Sequence, residues 1–156
     1  MIKGKFSLNF KDETLTALAS ETEHRTLGMW AADCAERVLP NFQQDFPQDQ
    51  RPEWALSILR DWTETGQFSM QTIRSAALAA HAAAREVGAD TPARSAARAA
   101  GQAVSSAHVP AHAIAAANYA LQAVHQAHNQ EDPDKALANE RAWQYQHLLE
   151  LQDAST

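Results

Sequence analysis

One stretch limits what this chain can become: residues 91–129, TPARSAARAAGQAVSSAHVPAHAIAAANYALQAVHQAHN, are saturated with alanine. Alanine favours helix, and its small side chain lets neighbouring helices approach closely. Along the stretch Arg94, Arg98, Gly101, Ser105, His108, His112 and, past the apolar Ala115, Tyr119 recur at alternating spacings of four and three. On a helix this spacing places them on one slowly drifting face. Between them run Ala96, Ala97, Ala100, Ala103, Val104, Ala107, Ala111, Ile114 and Leu121, so the pattern is a polar stripe set in a small, apolar helix. Pro110 interrupts it, because its ring clashes with the carbonyl four residues back and it donates no hydrogen bond. The helix must kink or restart near Ser106 to Val109. If it restarts, Pro110 suits a first turn and the flanking His108 and His112 diverge.

The rest of the chain is punctuated in the same helical language. Residues 1–11 read as a short extended arm, since Phe6, Leu8 and Phe10 alternate with Lys5, Ser7 and Asn9. Asp12 opens a short helical piece through Leu15 and Leu18, and Ser20-Glu21-Thr22-Glu23 matches a capping box for a longer helix. That helix carries Leu27, Ala31, Cys34, Val38 and Phe42 as its apolar stripe, with Trp30, Leu39 and Phe46 at the margins and Pro47 as its stop. Pro52 suits the first turn of the next helix, in which Trp54, Ile58 and Trp62 stack at spacings of four until Gly66. Ser69 caps a helix through Ile73, Ala77, Ala80, His81 and Ala84 that ends at Gly88. Thr91 before Pro92, and Asp132 before Pro133, repeat a cap-then-proline start, the second for a helix over about 132–151 with Leu137, Ala138, Arg141, Ala142, Tyr145, Leu148 and Leu149. The expected fold is all-α: one domain over residues 1–156, an antiparallel bundle of about six helices joined by short loops.

Charge and composition narrow the function. The 156 residues suffice for one domain with a real core. Lys+Arg 13 against Asp+Glu 19 gives a formal net charge of -6, which argues against general binding to a phosphate backbone. The lone Cys34 cannot form an intramolecular disulfide, no N-terminal stretch has a signal-peptide layout, and no apolar run is long enough for a membrane helix. The cytoplasm is the default compartment.

Candidate chemistry is thin. His108/His112 and His125/His128 have spacings compatible with metal ligands on a helix, yet no Asp or Glu lies between Asp90 and Glu131. A site would need Asp33, Glu36 or His81 to converge from elsewhere. Cys34 lies on an apolar stripe, where a free cysteine behaves as a small buried hydrophobe. Arg94 and Arg98 have no acid in their own segment, so an interhelical bridge from Arg98 to Asp33 or Glu36 is the expected structural use, with anion or partner binding as the functional one. Trp30, Trp54, Trp62 and Trp143 read mostly as core by spacing.

The segments WAADCAERVLPNF at 30–42, QDQRPEWAL at 48–56, AALAAHAAAR at 76–85 and ARSAARAAGQAVSSAHVPAHAIAAANYALQA at 93–123 resemble a bacterial family of putative immunity proteins, the immunity-type-five-like group. The resemblance covers about Leu27 to Ala123, leaving the arm and the last helix outside. It implies an all-helical fold that neutralises a toxin by direct binding, with no known reaction; no cofactor is expected. The positions that match its motifs include Trp30, Cys34, Pro52 and Gly101, and the candidate binding residues Asp33, Glu36, Arg37, Arg51, His81, Arg98, His108 and His112. The partner expected from these readings is a protein, and the acidic balance favours a basic toxin. A metal-dependent hydrolase using His81, His108 and His112 with Asp33 or Glu36 is the rival, a small-ligand-binding helical protein a third reading, and the Ala-rich faces also fit a homodimer.

Overall fold

The computed structural model describes residues 12–128 and 131–155, so the arm expected at residues 1–11 lies outside the described residues. Those residues form seven α-helices and no strand: α1 (Glu13–Ser20), α2 (His24–Gln43), α3 (Arg51–Thr65), α4 (Met70–Val87), α5 (Pro92–Ser105), α6 (His112–Ala127) and α7 (Pro133–Ala154). The Ala-rich stretch is two helices, α5 and α6, on either side of Pro110, which brings the number from about six to seven.

Local chemistry sets most of the boundaries. Asp12, Ser69, Thr91 and Asp132 each accept a hydrogen bond from an early backbone N–H of α1, α4, α5 and α7 respectively. Gly66 and Gly88 end α3 and α4 at φ 72° and 75°, the left-handed conformation that glycine adopts without a Cβ penalty. Three boundaries differ from expectation. Ser20 is the last residue of α1 and its hydroxyl donates to the Ala17 carbonyl at 2.7 Å, so there is no capping box. Glu23 caps α2 alone, accepting from the N–H groups of Arg25 and Thr26 at 3.0 and 2.9 Å, and these hydrogen bonds pull its carboxyl below the usual range. α2 carries Pro40 within it and stops at Gln43, short of Pro47. Pro110 falls just before Ala111, the residue that precedes α6, rather than in the first turn.

The core is as small-grained as the sequence. α5 lies against α2, α3, α4 and α6, and Ala93, Ala96, Ala97, Ala99, Ala100 and Ala103 are all essentially buried. Large side chains come from α2 and α3: Trp30, Val38, Phe42 and Leu59 are buried to the last few per cent. Trp30 and Leu39 are thus core rather than marginal, because α2 meets α3, α5, α6 and α7 over a wide arc. Trp54 is the opposite case, 41% exposed although its spacing suggested core. In α7 the buried positions are Pro133, Glu140, Gln144 and Leu148, and two of them are polar. Of the apolar positions expected there, Leu148 is buried and Tyr145 and Leu149 are half-buried against the core, while Ala138 and Ala142 are exposed.

Two successive residues at the start of α2 serve the ends of other helices. His24 Nε2 is 2.7 Å from the Ser106 carbonyl beyond α5, while Arg25 donates to the Thr63 and Glu64 carbonyls at the end of α3, 2.9 and 2.7 Å away. A cation at a helix C-terminus also complements the dipole.

Candidate functional site

The residues singled out by sequence separate into three groups. The first lies on α2, α3 and α7. Asp33 accepts from Arg60 at 2.9 Å and lies 2.7 Å from His147 Nε2, and Arg60 also pairs with Glu36. Arg37 makes a two-pronged bond to Glu140, 2.8 Å on each arm, with its guanidinium 3.8 Å above the Trp143 ring, which in turn stacks on His147. This chain of contacts fastens α7 to α2 and α3. The bridge expected from Arg98 to Asp33 or Glu36 is not made: the carboxylates are consumed by Arg60 and His147. Arg60, Glu140 and His147 are partners that the sequence did not single out, and only opposite charge on other helices hinted at them.

The second group is Arg51, which donates to Asp49 at 2.9 and 2.7 Å and pairs with Glu86 at the end of α4. Hydrogen bonds from the Arg51 side chain hold the Asp49 carboxyl below its ordinary value. This is a clasp between the start of α3 and the end of α4.

The third group is the one with binding character. It sits where α4, α5 and the first turn of α6 meet. Arg98 NH1 lies 3.1 Å from His81 Nδ1. A guanidinium only donates, so His81 Nδ1 accepts and the neutral imidazole carries its proton on Nε2. Desolvation, reinforced by the positive charges of Arg98 and Arg85 and by His112, pushes the His81 pKa down to about 4, which agrees with that tautomer. Gly101 makes the arrangement sterically allowed, because a Cβ there would fall 2.6 Å from His81 Cε1. His112 joins from α6, its Nδ1 2.7 Å from Gln102 Oε1.

His108 is elsewhere, stacked on Phe68 with ring centroids 6.2 Å apart. Thus His81, Arg98 and His112 come together, whereas His108, Asp33 and Glu36 do not join them. Among the described residues no group of three His, Cys, Asp or Glu side chains could hold a metal ion. Cys34 is fully buried, and desolvation drives its thiol pKa well above the ordinary value, followed by the nearby charges of Asp33 and Glu140.

Elsewhere buried polar groups bond internally, Arg141 Nε excepted among the described residues. Gln144, completely buried, donates to the Ala117 carbonyl at 3.0 Å and accepts from Arg141 at 3.0 Å, while its own carbonyl accepts the Trp30 indole N–H at 2.8 Å. Ser95 Oγ lies between Gln122 Oε1 and Gln126 Oε1 at 3.0 and 2.7 Å. One hydroxyl proton cannot serve two acceptors. Gln126 Nε2 is committed to Asp90, which turns Gln126 Oε1 towards Ser95. No helix among the described residues is long and apolar enough to cross a membrane.

Neither a curated protein nor a solved structure matches the chain. A family model described as Imm-5 like putative immunity protein matches residues 17–151, a span that takes in most of α7 as well as the 27–123 segment carrying the resemblance. With α2 through α6 wholly inside the match and only the ends outside it, the chain belongs to the Imm-5 like putative immunity protein family.

Proposed function

We propose that the protein acts in the cytoplasm by binding a toxin and blocking it, with no reaction of its own. Membership of an immunity family makes the partner a protein. The observation that supports the binding mode is the His81–Arg98–His112 junction: polar side chains gathered at a helix meeting point, with Arg98 held by His81 and His112 by Gln102. The carboxylates that a hydrolytic reading would recruit, Asp33 and Glu36, are held by Arg60 on other helices. A preformed helical surface loses little conformational freedom on docking, which favours tight inhibition. The net charge of -6 would speed the approach of a basic toxin at low ionic strength, wherever it finally docks. The test is rescue: cells made to express the toxin-like product of a neighbouring gene should survive when this protein is co-expressed, and the two should co-purify. Survival without any physical complex, or no rescue by any neighbour, overturns the proposal.

A further inference from the structure

We infer that the face made by α4 and α5, bordered by His112 of α6, is the docking surface, and that it receives a carboxylate-bearing segment of the partner protein. The inference rests on the toxin-binding reading and adds where the toxin sits and what chemistry it presents.

The face is defined by two helical stripes. Along α4, Arg74, Leu78, His81 and Arg85 follow at spacings of four, three and four; along α5, Arg94, Arg98, Gln102 and Ser105 follow at four, four and three. The His81–Arg98 contact places the stripes side by side. Residues 70–127 hold four arginines and just two carboxylates, Glu86 and Asp90. Both are engaged elsewhere, Glu86 with Arg51 and Asp90 with Gln126.

The contrast with the remaining arginines is what gives the face its meaning. Of the other five, Arg37, Arg51, Arg60 and Arg141 each meet a carboxylate within 3.6 Å, and Arg25 is spent on the Thr63 and Glu64 carbonyls that end α3. Among the described residues, Arg74, Arg85, Arg94 and Arg98 form no ion pair. Four guanidinium groups left without counter-charge in an acidic protein are suited to two-pronged bonds with incoming carboxylates. His81 holds one of them, Arg98, in place before any partner arrives, which lowers the entropy lost on binding.

Leu78 supplies an independent sign. At 60% exposure it is the most exposed of the large apolar side chains, and it stands in the middle of the α4 stripe between Arg74 and His81. An apolar anchor within a polar rim is the usual anatomy of a protein docking site. A nucleic acid is a poor occupant, since residues 12–65 carry eleven carboxylates against four arginines and repel a long polyanion. A short acidic segment can reach the face without meeting that field.

The test uses the full chain and has two arms. With the toxin found by rescue, calorimetry on the triple variant Arg74→Glu, Arg85→Glu, Arg94→Glu should show affinity about a hundredfold weaker, and Leu78→Asp about tenfold weaker. These four side chains are exposed or unpaired, so the fold is retained, which circular dichroism checks. Asp61→Lys with Glu64→Lys, on α3, should change affinity less than about threefold. If the toxin binds and the triple variant binds it equally, the docking inference is overturned while toxin binding stands.

If no toxin binds, the function proposal fails and the second arm decides the face by itself. Hexaglutamate titrated into labelled protein should shift the amide signals of Leu78, Arg85 and Arg98, and the triple variant should abolish this. No shift, a stronger shift with a short DNA duplex, or a wild-type dimer in light scattering that the triple variant dissociates would each overturn the inference.

Discussion

The imidazole of His81 occupies the space in which a side chain at Gly101 would begin, with Cε1 2.6 Å and Nε2 2.7 Å from the position of a Cβ. What a side chain there would meet is a ring on α4, not its own backbone. Gly101→Ala should improve helix propensity by about 1 kcal/mol, and the group that must yield is the end of a flexible side chain, the partly buried His81 imidazole. The melting temperature should hardly move. NMR titration of the His81 Cε1–H signal should instead show the ring displaced from Arg98 and its pKa rising from about 4 towards 6.5.

The same ring gives stability a pH dependence of known sign. The folded-state pKa of His81, about 4, lies below its ordinary 6.5, so the unfolded chain takes up the proton first. Stability present above pH 6.5 is lost as the pH falls through the folded value. Comparing urea unfolding of wild type and His81→Gln between pH 7 and 4 should show the wild type losing about 1–2 kcal/mol more, after discounting for the ring's partial exposure. Parallel pH curves would contradict the assignment.

How much of this could be read in advance depends on whether the cause is local. Thr91 with Pro92, Asp132 with Pro133, Ser69, Gly66 and Gly88 act within one turn of helix, and each sits where its chemistry suggested. The meeting of Arg98 with His81 depends on how α4 and α5 are rotated about their axes. Charge alone pointed Arg98 towards Asp33 or Glu36, which belong to Arg60. The inner face of α7 was legible only in part for a related reason: Leu148 was seen, but Glu140 and Gln144 are buried because partners on α2 and α6 satisfy them, and hydropathy does not register a satisfied polar group. Gly101 was visible as part of a polar stripe; its reason, a neighbour's ring, was not.

Gly28 makes a contrasting prediction. A Cβ there would lie 2.9 Å from Trp62 Cζ3 and 3.2 Å from Thr63 Cγ2, both on buried residues of α3. These groups have little room to move, so overpacking should outweigh the gain in helix propensity. Gly28→Ala should lower stability by about 1–2 kcal/mol in chemical denaturation, where Gly101→Ala is nearly neutral.

Cys34 should be inert in the folded protein. It is fully buried and its thiol is held protonated, so a disulfide-exchange reagent should detect no thiol under native conditions and one in denaturant. Rapid native labelling would mean that α2 and α7 separate readily.

Gln144→Leu should destabilise despite making the position apolar. It removes an acceptor from Arg141, whose Nε already lacks a hydrogen bond among the described residues, and a donor from the Ala117 carbonyl. The expected loss is about 1–3 kcal/mol in thermal or urea unfolding, because a buried guanidinium left short of acceptors is costly.

A helix such as α5, whose inward positions are alanine almost throughout, has no bulk to give up and no space to accept any. Its weakness is intrusion rather than truncation: a methyl group added to one of those alanines wedges two backbones apart, whereas at Gly101 it meets a movable ring. Freedom to change is left to the outer stripe of Arg94, Arg98, Gln102 and Ser105. A designer wishing to retarget the protein could rewrite those four letters and leave the scaffold's spacing untouched.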